Sequence, residues 1–396
     1  PQLVGVAELV GARGVTFWIA LSNGVLATAI LHRKGARRNL AAPAFALVVL
    51  VPMAWGVWRA ATLEMRAVGE VAVVQPNIPP EVKLDRDEAT DSTMRALEAL
   101  MPGLRAPVTL VVWPEVTLPE VVRAPEQESL RERVRVLAAA AGSDILLGGY
   151  GFRAAADRSA GGGGPGIIAE RSHRPGEEGV RGPTIYNSAF VMTPSGLGDF
   201  EYSKRDLVPI IERVPFANPD WFPDRRYYGS LGRGGVESRE PARAGGVAFG
   251  VLICYESIFA ESSRAFRRAG ADVLLNITND AWYGRDVWYG RTTALWQHPA
   301  HMVMRAIENR VGVARAANTG ISLFIDPVGR VYGRAPLFEP ALGQAVVYTT
   351  DGLTLYARLG DVTGRGALFA TLLLLFHAGR RGRRPVATGA QAGHGT

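Results

Sequence analysis

Long apolar runs near both ends of the chain contrast with shorter ones between them. Residues 14–31 and 41–58 are each about as long as a helix that crosses a bilayer, and the first run contains no charged residue. A third run, residues 367–378, is shorter and crosses a bilayer only if it extends back to Val362. The pattern predicts two membrane helices at the beginning of the chain and one at its end.

The segment before the first run is charged. Residues 1–13 contain Glu8 and Arg13, so we expect an interfacial lead-in to the first helix. The apolar run that follows is too long for a signal peptide, and a second span comes after it. The chain begins with Pro1 rather than methionine, and we expect further helices to precede it in a longer protein.

Between the spans, short β-type runs alternate with helical patterns. Strands are expected at 71–75, 108–113, 144–149, 187–192, 247–253, 271–277 and 311–316, and helices at 126–141, 257–269 and 294–309. Strands this apolar, interleaved with helices, predict an α/β fold in which helices cover the sheets. Residues 153–182 are rich in glycine and arginine without periodicity, which indicates a surface insertion rather than a phosphate-binding loop.

The chain is basic, with 44 lysines and arginines against 37 acidic residues and a net charge of +7. Nucleic-acid binding is the usual inference from such a balance. Here the cationic clusters at 32–38 and 380–384 both adjoin apolar runs, and cationic clusters beside membrane spans are typically cytoplasmic. The charge therefore indicates a membrane protein that binds no nucleic acid.

This charge pattern also predicts the domain organisation. Residues 1–62 are a transmembrane region with a basic cytoplasmic loop between its two spans, and 66–350 form an extracytoplasmic domain. Residues 362–379 cross the membrane again, and 380–396 are a basic cytoplasmic tail. Trp55 and Trp58 lie at the outward end of the second span, where an aromatic belt is expected. The alternative is a soluble protein with three core helices.

Cys254 is the only cysteine, so an internal disulfide and a cysteine-rich zinc site are both excluded. It ends an apolar, β-branched run. A thiol held at the end of a buried strand, with the N–H groups of the following turn beside it, suits nucleophilic attack on a carbonyl. The alternative is a buried cysteine that acts as a small hydrophobic side chain.

Two further polar segments precede this one along the chain. Glu115 follows a strand that ends in Trp113 and Pro114, and the proline fixes the direction of the glutamate. Lys204 lies between aromatic and apolar neighbours. Taken alone, each has a simpler interpretation as an exposed loop carboxylate or a solvated charge.

Together, Glu115, Lys204 and Cys254 resemble the Glu–Lys–Cys triad of the nitrilase superfamily, in the same order. The match continues through residues 274–284, Gln297-His298, Arg305-Ala306 and Asn318-Thr319-Gly320. With the flanking spans and residues 355–361, this set resembles the apolipoprotein N-acyltransferase family. The resemblance implies a four-layer αββα sandwich at 66–350, which is the catalytic domain, with flanking transmembrane helices.

The resemblance also implies roles for the site residues. Glu115 is the general base and Lys204 stabilises the tetrahedral oxyanion, while its positive charge favours the Cys254 thiolate. Glu212 is the second carboxylate, which orients the lysine and the substrate. The residues expected to shape or support the substrate site are Tyr255, Glu256, Asn279 and Trp282.

The implied reaction has two halves. Cys254 takes the sn-1 acyl chain of a phospholipid, with phosphatidylethanolamine the usual donor, and passes it to the N-terminal amine of an S-diacylglyceryl-cysteine apolipoprotein. The thioester carries the acyl group, so no metal or organic cofactor is required. The implied location is the bacterial cytoplasmic (inner) membrane, crossed several times, with the catalytic domain on the periplasmic, outer face.

Three other features bear on this interpretation. The chain departs from the family pattern at Ile210-Ile211, where the family has Phe-Gly, and at Leu84, where it often has tryptophan. The His298-Pro-Ala-His301 pair does not indicate a metal site, because no further ligand follows at suitable spacing. Two alternatives stay open: a membrane-anchored nitrilase-type amidase or hydrolase, and a non-catalytic lipid-binding membrane module.

Overall fold

The computed structural model describes residues 2–31, 36–84, 86–105, 108–153, 184–213, 231–235, 239–284 and 286–381. Nearly all of the predicted insertion at 153–182, and the predicted cytoplasmic tail from residue 382 onward, lie outside these residues. So does part of the basic loop between the first two spans.

The described residues alternate strands and helices between three long helices. The helices are α1 (Ala7–Leu31), α2 (Ala36–Thr62), α3 (Pro80–Leu84), α4 (Arg86–Leu100), α5 (Glu128–Ala141), α6 (Ala260–Arg268), α7 (Ala294–Asn309), α8 (Leu355–Leu359) and α9 (Val362–Arg381). The strands are β1 (Arg66–Gln75), β2 (Leu110–Val112), β3 (Ile145–Arg153), β4 (Thr184–Thr193), β5 (Gly196–Ser203), β6 (Ala242–Ala244), β7 (Val247–Ile253), β8 (Val273–Thr278), β9 (Gly312–Ala317), β10 (Leu323–Ile325), β11 (Val331–Tyr332) and β12 (Ala341–Thr349).

The strands form two six-stranded sheets, with orders β12-β1-β2-β3-β4-β5 and β11-β10-β9-β8-β7-β6. Alternate residues of a strand point to opposite faces. Val71 and Val73 belong to the core shared by the two sheets, whereas Ala72 and Val74 belong to the core beneath α4 and α5. Helices α6 and α7 contribute Phe266, Met302 and Ala306 against the other sheet. The predicted four-layer αββα sandwich is confirmed.

The direction of the strands brings several loops to common edges. In the first sheet β1, β2 and β3 are parallel, and β5 runs the same way because two antiparallel pairings separate it from β3. In the second sheet β7, β8 and β9 are parallel. The loops after β1 and β9 meet, since Asn77 N donates to Asn318 O at 3.0 Å. The carboxyl ends of both sheets therefore share one side of the sandwich.

Among the residues that the structure describes, three helices are long and apolar enough to cross a membrane: Ala7–Leu31, Leu40–Thr62 and Val362–Gly379. The predicted lead-in at residues 1–13 includes the first turns of α1, which begins at Ala7 and has a break at Gly11; its interfacial position stays a prediction. Glu8 is 4% exposed and pairs with Arg59 and Arg310, each at 2.9 Å. These two partners come from a long helix and from the sandwich, so Glu8 ties the helices to the domain.

Candidate active site

Cys254 lies at the carboxyl end of β7, a strand whose seven residues are all buried. A 3-10 turn, Cys254–Ile258, begins at the cysteine, so the predicted start of the next helix at residue 257 is wrong and α6 begins at Ala260. The first N–H groups of such a turn have no partner within it. Cys254 has φ of 49° and is 5% exposed. The thiol is thus held in an unusual backbone conformation at the start of a turn.

Glu115 follows β2 of the first sheet, on the side of the sandwich where Cys254 follows β7 of the second. Its Oε1 accepts from Lys204 Nζ at 3.0 Å and from Asn187 Nδ2 at 2.8 Å. Its Oε2 accepts from the backbone N–H of Asn279 at 3.0 Å. With both oxygens engaged, the carboxylate is fixed in one orientation, as the proline before it predicts.

Lys204 lies directly after β5 and is 1% exposed. Its ammonium contacts Glu115 at 3.0 Å and Glu212 at 2.8 Å. Asn187 bridges the two carboxylates, donating to Glu212 Oε1 at 3.2 Å as well as to Glu115. The predicted lysine and the two predicted carboxylates are therefore brought together, with the buried ammonium between buried Glu115 and half-buried Glu212.

Burial and charge set the protonation of the three central groups. Burial alone raises the pKa of Glu115, but the Lys204 charge and hydrogen bonds from Asn187, Lys204 and Cys254 outweigh it, so the pKa is lowered. Burial would lower the pKa of Lys204, but Glu115, Cys254 and Glu212 hold it well above its ordinary value. The site therefore contains a carboxylate and an ammonium.

Burial, and then the Glu115 charge, raise the pKa of the Cys254 thiol. Lys204 lowers it, as expected from the sequence, but by less. The cysteine therefore rests as a neutral thiol, close enough to the Glu115 carboxylate for the charge to raise its pKa.

Glu256 supports the loops that carry this cluster. It is fully buried and accepts four hydrogen bonds, from Tyr202 Oη at 2.7 Å, Arg205 N at 2.8 Å, Asp206 N at 3.3 Å and Ile253 N at 2.7 Å. It thus joins the segment after β5 to the end of β7. Burial raises its pKa to about 7, although these hydrogen bonds lower it.

We expect Glu256→Gln to destabilise the domain by about 1–3 kcal/mol, because the amide NH₂ turns a donor toward a buried donor. Since the folded pKa lies above the ordinary value, folded Glu256 binds more protons than unfolded Glu256 up to about pH 7. The stability that Glu256 contributes therefore falls as the pH rises from the ordinary glutamate pKa to about 7. Thermal unfolding should show a smaller difference between wild type and variant at pH 8 than at pH 5. A difference that grows with pH contradicts this.

The other predicted support residues lie around this cluster. The Tyr255 ring packs edge-on against Phe259 at 5.2 Å. The Asn279 side chain accepts from Ala281 N and from Asn318 Nδ2, so its backbone, rather than its side chain, contacts Glu115. Trp282 is 56% exposed and belongs to the surface rather than to the buried cluster.

Two polar residues at the site were not predicted from the sequence. Asn187 lies in β4 and gave no signal beyond its place in an apolar strand. Half-buried Lys83 donates from Nζ to the carbonyls of Glu115 at 3.4 Å and Val116 at 3.1 Å, and burial lowers its pKa to about 8. The rarity of lysine could have indicated this residue, because among the 44 lysines and arginines the only lysines are Lys34, Lys83 and Lys204.

The two histidines of the His298-Pro-Ala-His301 pair lie in different surroundings. His298 contacts Asp280 and the carbonyl of Cys254. His301 is half-buried. Within the described ranges, no group of three histidine, cysteine or acidic side chains is arranged to hold a metal ion.

Comparison with known families identifies the sandwich. Residues 70–349 match the carbon-nitrogen hydrolase family, so this is a carbon-nitrogen hydrolase domain. The apolipoprotein N-acyltransferase of Geobacter metallireducens is 32% identical over 367 residues, 91% of this chain and 64% of its own length. That of Chlorobaculum tepidum is 30% identical over 395 residues, 96% of this chain and 70% of its own.

A third relative, the apolipoprotein N-acyltransferase of Ralstonia nicotianae, is 30% identical over 389 residues, 96% of this chain and 65% of its own length. The chain therefore belongs to the apolipoprotein N-acyltransferase family. It spans 64% to 70% of the length of these three relatives.

Proposed function

We propose that this protein transfers an acyl chain from a membrane phospholipid, through a thioester on Cys254, to the N-terminal amine of an S-diacylglyceryl-cysteine lipoprotein. The observation that carries the proposal is the buried contact of an ionised Glu115 with Lys204, on the side of the sandwich where the Cys254 thiol is also buried. The names of the relatives support the acyl transfer, and the three apolar helices support a lipid substrate.

In the first half-reaction, Glu115 takes the thiol proton as sulfur attacks the sn-1 ester carbonyl of the donor, for which phosphatidylethanolamine is our candidate. The oxyanion of the tetrahedral intermediate is stabilised by Lys204 and by the N–H groups of the turn after Cys254. The C–O bond of the ester then breaks. The lysophospholipid alcohol leaves with the proton from Glu115, and Cys254 carries the acyl chain.

In the second half-reaction, the free amine of the lipoprotein attacks the thioester carbonyl and gives a proton to Glu115. The C–S bond breaks, an amide forms, and the thiolate recovers its proton from Glu115. Glu212 keeps Lys204 in place through both halves, since its 2.8 Å contact does not involve the reacting atoms. The chemistry requires no metal or organic cofactor.

We also propose that the catalytic domain lies on the periplasmic face of the bacterial inner membrane, tethered by several spans. The cationic clusters of the sequence support this orientation. The turn that presents Glu212 carries Ile210 and Ile211, which are 64% and 39% exposed. Apolar side chains at the rim suit substrates that arrive from lipid.

To test the proposal, a phospholipid with a fluorescent acyl chain is incubated with the protein in vesicles. We expect a label on the protein that hydroxylamine removes, as a thioester requires. Adding a diacylglyceryl-cysteine peptide should move the label to the peptide amine faster than water releases it.

Two other outcomes would identify the alternatives. Label that water removes, and that the peptide amine does not accept, indicates a membrane-anchored amidase or hydrolase. No label at all indicates a non-catalytic lipid-binding module. Either outcome would overturn the proposed transfer.

A further inference from the structure

Behind Cys254 lies a cluster of buried polar side chains that the proposed reaction does not use. Asp280 begins the short turn after β8, His298 lies in the first half of α7, and Arg315 lies in β9. Asp280 and Arg315 are fully buried, and His298 is 4% exposed. Buried charges are costly unless each has a partner, so the arrangement of this cluster requires an explanation.

Both nitrogens of the His298 ring face oxygen atoms. Nδ1 lies 2.8 Å from Asp280 Oδ1, and Nε2 lies 3.1 Å from the backbone carbonyl of Cys254. A carbonyl oxygen can only accept. Arg315 donates to the other Asp280 oxygen at 2.6 Å.

Burial alone raises the pKa of Asp280, but Arg315 and His298 together lower it, so this carboxylate is ionised and can only accept as well. The ring therefore donates from Nε2 to the Cys254 carbonyl, and Nδ1 faces both the Asp280 carboxylate and an N–H of Arg315 at 3.3 Å.

The carbonyl that His298 contacts belongs to a constrained residue. Cys254 adopts a left-handed backbone conformation, with φ of 49°, which costs free energy for any residue other than glycine. Such a conformation persists only where the surroundings enforce it. The direction of the thiol depends on this backbone, because the side chain follows the orientation of the Cα atom.

We propose that His298 is a positioning residue for the nucleophile: its ring, oriented by Asp280, donates from Nε2 to the Cys254 carbonyl and thereby aims the thiol at Glu115. The ring contacts no reacting atom. It acts through the backbone of the cysteine, from the side of the turn opposite the carboxylate.

The groups around the ring hold it in one orientation. The charged and titratable groups that face it from the packed elements are Asp280, Tyr283, Arg315 and, on its own helix, His301. Tyr283 packs edge-on at 5.3 Å between centroids. Burial lowers the pKa of His301 to about 4, so His301 is neutral and does not compete for Asp280.

Two substitutions separate the two contacts of the ring. The amide nitrogen of glutamine lies at the ε position, so His298→Gln keeps a donor toward the Cys254 carbonyl. The amide nitrogen of asparagine lies at the δ position, so His298→Asn keeps a donor toward Asp280 only. His301→Gln, three residues along the same helix, is the matched control.

The readout is the single-turnover rate of thioester formation, with the thermal unfolding temperature measured in parallel. We expect His298→Gln to stay within about tenfold of wild type, and His298→Asn to lose about a hundredfold or more, the usual cost of a nucleophile misplaced by about 1 Å. His301→Gln should match wild type. Equal rates in the two His298 variants, or a larger loss in the glutamine variant, would overturn the proposal.

A second measurement uses only the wild-type protein, so it does not depend on whether a variant folds. Histidine labelled with ¹⁵N in the wild-type protein should show, at pH 7.5, one ring whose Nε2 carries a proton hydrogen-bonded to a backbone carbonyl; a His298 ring with an unprotonated Nε2 would refute the proposed contact. The kinetic readout rests on the proposed function, whereas this spectrum does not. A wild-type protein that takes no acyl label would therefore refute the transferase, and the spectrum would still decide the state of His298.

Discussion

Cys254→Ala protein is expected to form no hydroxylamine-labile acyl label and to unfold near the wild-type temperature. The chain has no second cysteine, so no other thiol can carry a thioester. Removal of a nucleophile typically lowers turnover by a thousandfold or more, to about the level set by binding and oxyanion stabilisation. The substitution removes one buried sulfur atom, which makes no structural disulfide, so the loss reports chemistry rather than folding.

The matched variant is Cys254→Ser, which keeps an attacking atom at the same place. A hydroxyl is a weaker nucleophile than a thiol at its ordinary pKa, so we expect its label, if formed, to be an ester formed at least about a thousandfold more slowly. Gel fluorescence before and after hydroxylamine distinguishes the two. A normal thioester signal in Cys254→Ala would show that another group is acylated.

Two of the three predicted catalytic residues could be located from the sequence because they follow buried strands. The strand expected at 247–253 is β7 itself, and the helix expected at 294–309 is α7 itself. A fully buried strand is a continuous apolar run, so its end is visible in the sequence. Glu115 and Cys254 follow such runs, in β2 and β7.

Strands with one exposed face were missed. β5 has the sequence GLGDFEYS and is mostly half-buried, and β12 is half-exposed along most of its length. Their polar residues and glycines hide the alternation that identifies a strand. The position of Lys204 at the end of β5 could thus be inferred only from resemblance to a family, not from a strand pattern.

Contacts between side chains that are distant in sequence were also not predicted. Glu8 pairs with Arg310, and Glu256 accepts from Tyr202 and Arg205. No local pattern encodes such contacts, because they depend on how the elements pack. His298 was weighed only as a metal ligand, since its hydrogen bond to the Cys254 carbonyl exists only once α7 packs against the turn after β7.

Glu115→Gln should bind the phospholipid donor and form thioester about a hundred- to ten-thousandfold more slowly, the usual contribution of a general base. The amide cannot accept the thiol proton. The fold should persist, since Lys204 is flanked by two carboxylates and the substitution leaves it paired one to one with Glu212. A rate equal to that of wild type would refute the base role.

The pH profile tests the same role independently. Because the pKa of Glu115 is lowered, the base stays ionised across neutral pH, and the wild-type rate should fall only as pH drops through a value below the ordinary glutamate pKa. The variant should lack this acidic limb. Glu120→Gln is the control: Glu120 follows on the same loop but bonds Thr90 and Gln127, so its rate and its acidic limb should match wild type. An acidic limb that survives in Glu115→Gln would assign the proton to another group.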